Sequence, residues 1–480
     1  MQSYPLFIDG EYQQATSGKE DTSYNPATSE PYAVVQLASV QDATDAIASA
    51  HQAFQTWKDV LPSVREKILL DIADAFERRA DEFKDLLIDE AGSSMLKAGY
   101  ETHHAPSFLR GMAGECRRVK GETYQSDYPG LKSYSIRRPL GVVLSIAPFN
   151  FPLLLAIRKI GWALAAGNTV VLKPSEVTPV IALKLAEVMT EGGLPKGVLN
   201  VIPANGAELG DVLIADERVR KVTFTGSTRV GKSIALACAK YHKPITLEMG
   251  GKNPFIVLAD ADVDYAVDAA TFSNFMHQGQ VCMTGSRVIV EDAVYDEFVR
   301  KFTAKVSALG YGNPRDPGVI VGPLIRPTQT EFIKKQVEKA VEQGAKINVG
   351  GHYEGNVFQP TVISDVTSDM SIFHTECFGP VASVIKASDY LHALALANDS
   401  EYGLTSAVIT NDLQMSIFFS ENLESGMVHI NGPSIRDEAV VPFGGVKNSG
   451  MGREGGTFAM DEFTELKWIT VQMGQQKFPF

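Results

Sequence analysis

Between residues 140 and 250 the chain alternates short apolar runs with segments of helical period, and this alternation narrows the possible folds more than any other feature. The apolar runs are GVVLSIAP, NTVVLKP, VLNVIP, KVTFT and PITLEMG; between them lie ALKLAEVMTEGG, GAELGDVLIAD and KSIALACAK. Strands separated by helices imply parallel βαβ crossovers, and runs that are apolar throughout imply strands covered on both faces. The expected class is α/β, with a doubly wound sheet that binds its ligand at the carboxyl ends of its strands. A second series opens after Gly251, with FIVLAD, SRVIVE, the helical YDEFVRKFTAKVSAL and TEFIKKQVEKAVEQG, and VASVIKA. It predicts a second α/β unit, and 480 residues leave room for two or three units.

Outside these series, residues 40–90 carry apolar positions at helical spacing, Leu69, Ile72, Ala73 and Phe76 among many charges. Strand character appears near Tyr134–Ile136. The tail ELKWITVQMG alternates like a strand and is expected to pair with a distant segment or another subunit. The apolar stretch from Leu140 to Ile157 approaches the length of a membrane span. Pro148, Asn150 and Pro152 in its middle would leave backbone groups unpaired in lipid, so it reads as strand, turn and helix. The formal charge of 44 − 57 = −13 argues against a nucleic-acid partner. Cys116, Cys238, Cys282 and Cys377 are scattered without a C-x-x-C pair, and His103-His104 has no such pair to complete it, so neither a metal site nor a disulfide framework is expected. Few cysteines, and an opening MQSYPLFIDGEY without the layout of a leader, point to a cytoplasmic setting.

Two phosphate-binding patterns compete for the function. GSTRVGKS, Gly226 to Ser233, fits the P-loop G-x-x-x-x-G-K-S, with a strand before it and a helix after. FIVLAD, ending at Asp260, imitates the magnesium-binding strand that accompanies a P-loop. The same strand–turn–helix context serves any turn that aims a helix N-terminus at a phosphate. GMGREG, Gly450 to Gly455, fits the dinucleotide pattern G-x-G-x-x-G, but a polar glycine-rich loop precedes it where a strand is required, so it reads as a loop.

Three residues suggest covalent chemistry. Cys282, in GQVCMTGSR, sits among small polar residues, as a reachable nucleophile must; most lone cysteines are instead small core residues. Glu248, in LEMGGKNP, ends an apolar strand just before two glycines that let backbone approach a ligand. Asn150, in PFNFP, is either a turn residue or an amide donor. APFNFP, LKPSE, FTGS, LEMGGKNP, GQVC and ECFGP occur in that order. Together they make the chain resemble the NAD(P)-dependent aldehyde dehydrogenase superfamily, from FIDGEY to PFGGVKNSGMGRE. The stretches FMHQGQVCM and INGPSIRDEAVVPFGG are similar to its benzaldehyde, vanillin and salicylaldehyde branch.

That resemblance carries specific expectations. It implies Cys282 as nucleophile, Asn150 and the Cys282 N–H as donors to the oxyanion, and Glu248 as the base that activates water. It implies a Rossmann-like unit over 1–121 and 142–249, a catalytic unit over 250–446, and an oligomerisation arm of 122–141 and 464–480, in a homodimer or homotetramer. FTGS then holds the cofactor, with Thr225, Gly226 and Ser227 near the pyrophosphate and Gly231 relieving crowding. Lys173, Ser175 and Glu176 match positions at the adenine ribose, and Glu376 with Phe378 positions at the nicotinamide end; Ile146, Pro148, Phe149, Gly206, Gly210 and Met249 complete the cofactor set. A carboxylate at Glu176 favours NAD, with NADP possible, because it accepts from ribose hydroxyls and repels a 2′-phosphate. The expected aldehyde pocket comprises Phe151, Leu154, Leu155, Arg158, Val281, Met283, Ile435 and Phe443, walls suited to an aromatic aldehyde. Arg158 either meets a ring hydroxyl or pairs with Asp437 or Glu438. The rival substrate is a semialdehyde whose carboxylate is clamped by Arg158 or Arg436.

Overall fold

In the computed structural model, which describes residues 1–480, a short strand Gln2–Tyr4, which pairs with Pro31–Gln36, precedes the hairpin β1 (Leu6–Ile8) and β2 (Glu11–Gln13). Four helices follow: α1 (Val40–Trp57), α2 (Pro62–Arg78), α3 (Ala80–Ala91) and α4 (Met95–Glu115). After β3 (Leu131–Pro139) comes a strict alternation of β4 (Val142–Ile146), α5 (Pro152–Ala165), β5 (Thr169–Lys173), α6 (Pro179–Glu191), β6 (Leu199–Val201), α7 (Gly206–Ala215), β7 (Val219–Thr225), α8 (Thr228–Lys240) and β8 (Ile245–Glu248). α5 and α6 each begin at a proline, whose missing N–H and fixed φ suit the first turn. Every residue of β5 is buried, as are all but the last of β4, which is why these runs are apolar without alternation.

The parallel strands lie side by side as β8, β7, β4, β5, β6. The chain starts at β4 in the centre, winds outward through β5 and β6, and returns to build β7 and β8 on the other side. The winding reverses between β4 and β7, so the crevice at their carboxyl ends is where a doubly wound sheet takes its ligand. The hairpin β1–β2 extends one edge in antiparallel sense.

The second series builds a seven-stranded sheet. Its strands are β9 (Pro254–Val257), β10 (Arg287–Glu291), β11 (Lys346–Val349), β12 (Thr361–Ser364), β13 (Val381–Ala387), β14 (Thr405–Ile409) and β15 (Met427–Ile430), ordered β11, β12, β13, β10, β9, β14, β15. Helices α9 (Val263–Phe275), α10 (Asp292–Ser307) and α11 (Pro327–Glu342) serve this sheet. Residues 447–463, which the sequence reading leaves unassigned, return to the first sheet: β16 (Gly450–Met451) pairs with β8 at its open edge. The tail strand β17 (Thr464–Gln472) runs antiparallel to β3 along the whole length of both, and Thr123–Tyr124 adds a third short strand. This small sheet shares no strand with either of the two large sheets.

Candidate active site

The turn after β4, the end of β7, the end of β8 and the Cys282 loop meet around a cavity of about 860 Å³. Asn150, Glu248 and Cys282 all line it, although 132 positions (282 − 150) separate the first from the last. Asn150 and Glu248 arrive by strand ends, and Cys282 by the loop that follows α9. β4 delivers Pro148–Asn150, with Pro152 starting α5 directly afterwards; β8 delivers Glu248, whose carbonyl accepts from Gly226 N–H at 3.1 Å. Cys282 follows a tight passage in which His277, Gln278 and Gly279 have φ of 49°, 57° and 68°. Left-handed backbone at two non-glycine residues stores strain. The surroundings hold it: Gln278 Nε2 donates to the carbonyls of Gly92 (2.9 Å) and Pro323 (2.8 Å), and a Cβ on Gly279 would lie 2.2 Å from the Gly379 carbonyl oxygen.

Asn150 Nδ2 donates to the Gln280 carbonyl at 3.0 Å, which aims the amide at the Cys282 loop. Asn253 Nδ2 fixes the other side of that loop through the carbonyls of Cys282 (2.7 Å) and Thr284 (3.0 Å). The Cys282 N–H makes no hydrogen bond within the chain. An amide and a free backbone N–H beside one thiol form a donor pair for an oxyanion.

The charges around these groups are unequal. Burial, and then the negative charges of Glu248, Glu376 and Asp437, push the Cys282 thiol up to about 12. Burial and the neighbouring Glu454 hold the Glu248 carboxyl well above the usual carboxylate range; Lys159, Arg158 and Arg453 act in the opposite sense. Both Glu248 oxygens are buried without a partner. Glu454 behaves differently. Burial raises it, but Lys159 and Arg158 outweigh burial and keep it below the usual range. Its carboxylate accepts from Lys159 Nζ (2.6 Å) and Thr223 Oγ1 (3.2 Å). Two carboxyls thus share a wall of the cavity with their affinities for protons driven apart, the pattern that separates a fixed charge from a base.

The other half of the cavity lies along α8 and the β5–α6 turn. Gly226, Ser227, Arg229 and Val230 present the N-terminus of α8, where Ser227 Oγ caps Val230 N–H at 3.5 Å. Such an end accepts a phosphate. Thr225 Oγ1 beside it is buried without a partner. Glu176 Oε1 accepts from Lys173 Nζ (2.7 Å) and Gly206 N–H (3.2 Å); burial raises this carboxyl, but Lys173 outweighs it and leaves it ionised. At the catalytic end Glu376, pushed up to about 7 by burial, accepts from Gly251 N–H at 3.0 Å. A Cβ on Gly250 would fall 2.2 Å from Glu376 Oε2, so a side chain there would displace the Glu376 carboxylate. Phe378, at φ 49°, meets Phe149 edge to face at 5.9 Å. A phosphate site, a ribose acceptor and a paired aromatic wall fit a dinucleotide.

Ile146, Pro148, Phe149, Lys173, Ser175, Glu176, Gly206, Gly210, Thr225, Gly226, Ser227, Met249, Glu376 and Phe378 all line the cavity, as do Leu155 and Phe443. Gly231 does not. It packs beneath the wall, where a Cβ would come within 2.3 Å of Met249 Sδ, so its smallness lets α8 sit on Met249. Phe151, Leu154, Val281, Met283 and Ile435 are also absent from the lining; they are buried in the apolar cluster against which Leu155 and Cys282 pack. Arg158 lies behind Phe443. Its Nη2 reaches both Asp437 oxygens at 2.6 Å, and its guanidinium sits between the rings of Phe443 (4.4 Å) and Phe108 (5.0 Å). Arg436 is exposed and lies outside the lining. Lys232, the lysine of the P-loop pattern, is exposed and outside the lining. Asp260 binds Thr410 Oγ1 in the second sheet, so the imitation P-loop has neither its lysine nor its acid. Lys159 and Glu454 were missed by sequence reasoning. The one sits in an apolar run and the other in the rejected GMGREG motif; the only signal was that each is charged in an unlikely place.

Residues 12–469 match the aldehyde dehydrogenase family. The chain is 41% identical to a vanillin dehydrogenase of Pseudomonas fluorescens over the full length of both proteins. It is 40% identical to the mitochondrial succinate-semialdehyde dehydrogenase of Arabidopsis thaliana, covering 96% of this chain and 88% of that one. Its fold superposes on the crystal structure of a salicylaldehyde dehydrogenase from Pseudomonas putida in complex with salicylaldehyde, with a TM-score of 0.98, 39% identity and complete coverage of both chains.

Proposed function

The chain belongs to the aldehyde dehydrogenase family and is an NAD(P)-dependent oxidoreductase; from that premise we propose that it oxidises an aromatic aldehyde to the carboxylic acid and prefers NAD. The observation that carries the chemistry is the meeting of Cys282, Asn150 and Glu248 in one cavity that continues to the α8 N-terminus. Cys282 Sγ loses its proton through water to ionised Glu248, which passes it on to solvent, and the thiolate adds to the carbonyl carbon. The oxygen of the resulting thiohemiacetal takes its negative charge between Asn150 Nδ2 and the Cys282 N–H. A nicotinamide dinucleotide, held by Glu176, Lys173, the α8 N-terminus and Glu376, supplies the hydride acceptor. The thioester left on Cys282 is then hydrolysed by water that gives its proton to Glu248, releasing the acid and restoring the thiol. A base whose proton affinity is raised by burial is stronger than a solvated glutamate, and water needs such a base.

The aromatic assignment draws on the vanillin and salicylaldehyde relatives and on the lining by Phe149, Leu155, Phe378 and Phe443. The plant relative favours the semialdehyde alternative. Against it, Arg158 pairs with Asp437 outside the lining and Arg436 also lies outside it, so neither guanidinium offered as a clamp faces the cavity. The NAD preference rests on Glu176, an ionised carboxylate where a 2′-phosphate would have to sit. In this reading residues 1–121 and 142–249 carry the cofactor, 250–446 the nucleophile, and 122–141 with 464–480 join a second copy of the chain.

The test is the near-ultraviolet absorbance of reduced nicotinamide with benzaldehyde or succinic semialdehyde, each with NAD and NADP, and with Cys282→Ala as control. The expected result is turnover fastest with benzaldehyde and NAD and absent in the variant. Faster turnover of the semialdehyde overturns the aromatic assignment, and equal use of NADP overturns the role given to Glu176.

A further inference from the structure

α5 begins two residues after Asn150, and its first turn has an unusual arrangement of partners. Pro152 has no N–H, and Leu155 N–H makes the first helical bond, to the Phe151 carbonyl at 2.9 Å. That leaves the N–H groups of Leu153 and Leu154, which an N-cap side chain ordinarily satisfies. The N-cap is Phe151, which has no acceptor. The acceptor comes from another helix: Glu101 of α4 takes Leu154 N–H on Oε1 at 3.0 Å, and Leu153 N–H is directed at the same carboxylate.

Lys97, one turn earlier on α4, forms an ion pair with Glu101, donates to Ser93 Oγ at 3.1 Å and lies 4.6 Å from the centre of the Phe151 ring. Lys97 and Glu101 are both wholly buried. One ion pair therefore grips the residue after Asn150 through its ring and the two residues after Pro152 through their N–H groups. A buried ion pair seldom adds net stability over apolar residues of the same size; what it can fix is position.

We propose that Glu101, with Lys97 as its counter-ion, is a positioning residue for the reaction: by capping α5 from α4 it sets where the Asn150 amide stands at the oxyanion. This rests on the oxyanion role given above to Asn150. The same device occurs at α6, where Glu90 of α3 accepts from Val180 N–H (2.9 Å) and Ile181 N–H (3.0 Å). α6 follows the turn that carries Lys173 and Glu176 but no group that touches the aldehyde, so Glu90, read at saturating NAD, serves as the comparison.

The experiment is a double-mutant cycle between Glu101→Leu and Asn150→Ala, read by the rate of the first-turnover burst of reduced nicotinamide. Misplacing a catalytic group by an ångström costs roughly a hundredfold, and Glu101→Leu is expected to slow the burst by about 30-fold with the aldehyde KM nearly unchanged. In the Asn150→Ala background it is expected to slow the burst less than about threefold, because the group it positions is gone. Alkylation of Cys282 by iodoacetamide, which needs no oxyanion donor, is expected to stay at the wild-type rate. Glu90→Gln is expected to lower the melting temperature and, at saturating NAD, to leave the burst intact. Equal slowing by Glu101→Leu in both backgrounds, an unslowed burst, or altered alkylation overturns the proposal while leaving Asn150's role standing. An unslowed burst in Asn150→Ala alone overturns the oxyanion reading itself, and the proposal with it. If Glu101→Leu does not fold, the cycle is run with Glu101→Gln, whose amide oxygen keeps the cap without the charge. The expected loss is then about fivefold beside Asn150 and none beside Ala at that position.

Discussion

At the scale of single residues, the site is governed by charges that do not touch the substrate. Glu454 carries a fixed negative charge and raises the proton affinity of Glu248. Glu248 acts as base only when ionised, so thioester hydrolysis should rise with pH through the Glu248 pKa, which lies above the ordinary carboxylate range. Replacing Glu454 by Gln removes the negative neighbour and leaves Lys159 unbalanced, and both changes favour ionised Glu248. The rising limb of kcat against pH should move to lower pH by about one unit, measured where hydrolysis limits turnover. A second prediction concerns the thiol. An ordinary cysteine has a pKa of about 8.5, whereas Cys282 is pushed up to about 12. At pH 8 the protein without cofactor should therefore react with iodoacetamide at least about tenfold more slowly than a small free thiol. The rate should still be climbing above pH 9, followed by mass spectrometry with Cys282→Ser as blank. Cys282, Glu248 and Asn150 were legible because each stands in a context that structure alone does not require: a thiol among small polar residues, a carboxylate closing an apolar strand, an amide between prolines. Lys159 and Glu454 were not, because they are 295 positions apart and explain each other only when paired.

At the scale of elements, the parallel strands and their crossovers were legible because burial on both faces makes a strand apolar throughout. α4 was not read. It buries Lys97, Glu101, Thr102 and Glu115 and carries Pro106 in its interior, so its apolar period is broken by residues with structural partners. Of the expected aldehyde pocket, Leu155 and Phe443 line the cavity and the rest pack outside its lining, because a run such as PLLLAI shows that α5 is buried without showing which side chains reach the cavity. α8 gives a test of packing against propensity. Alanine in place of Gly231 should favour the helix by up to about 1 kcal/mol. Its Cβ, however, would come within 2.3 Å of Met249 Sδ, and overpacking costs about 1–3 kcal/mol. Gly231→Ala should thus lower the melting temperature and weaken NAD binding through a displaced Met249, measured by thermal unfolding and isothermal titration.

At the scale of the whole molecule, β17 and β3 form a sheet with no core of its own. Leu466 and Trp468 are 60% and 68% exposed on it. A three-stranded sheet with an apolar exposed face is an invitation to association. On the proposal that 122–141 and 464–480 join a second copy, the double variant Leu466→Glu, Trp468→Glu should sediment as a monomer in analytical ultracentrifugation where the wild type sediments as a dimer or tetramer. The tail strand was legible from its alternation; the return of residues 447–463 to the first sheet was not, because β16 is only two residues long and its pairing is set by β8. That return has a genetic consequence. Asn150, Glu248 and Cys282 all lie at or before the codon for Cys282, whereas Glu454, whose charge raises the proton affinity of Glu248, is encoded later. A nonsense or frameshift allele between the codons for Cys282 and Gly450 yields a polypeptide that retains all three side chains but lacks Glu454 and β16, the strand that pairs with the Glu248 end of β8.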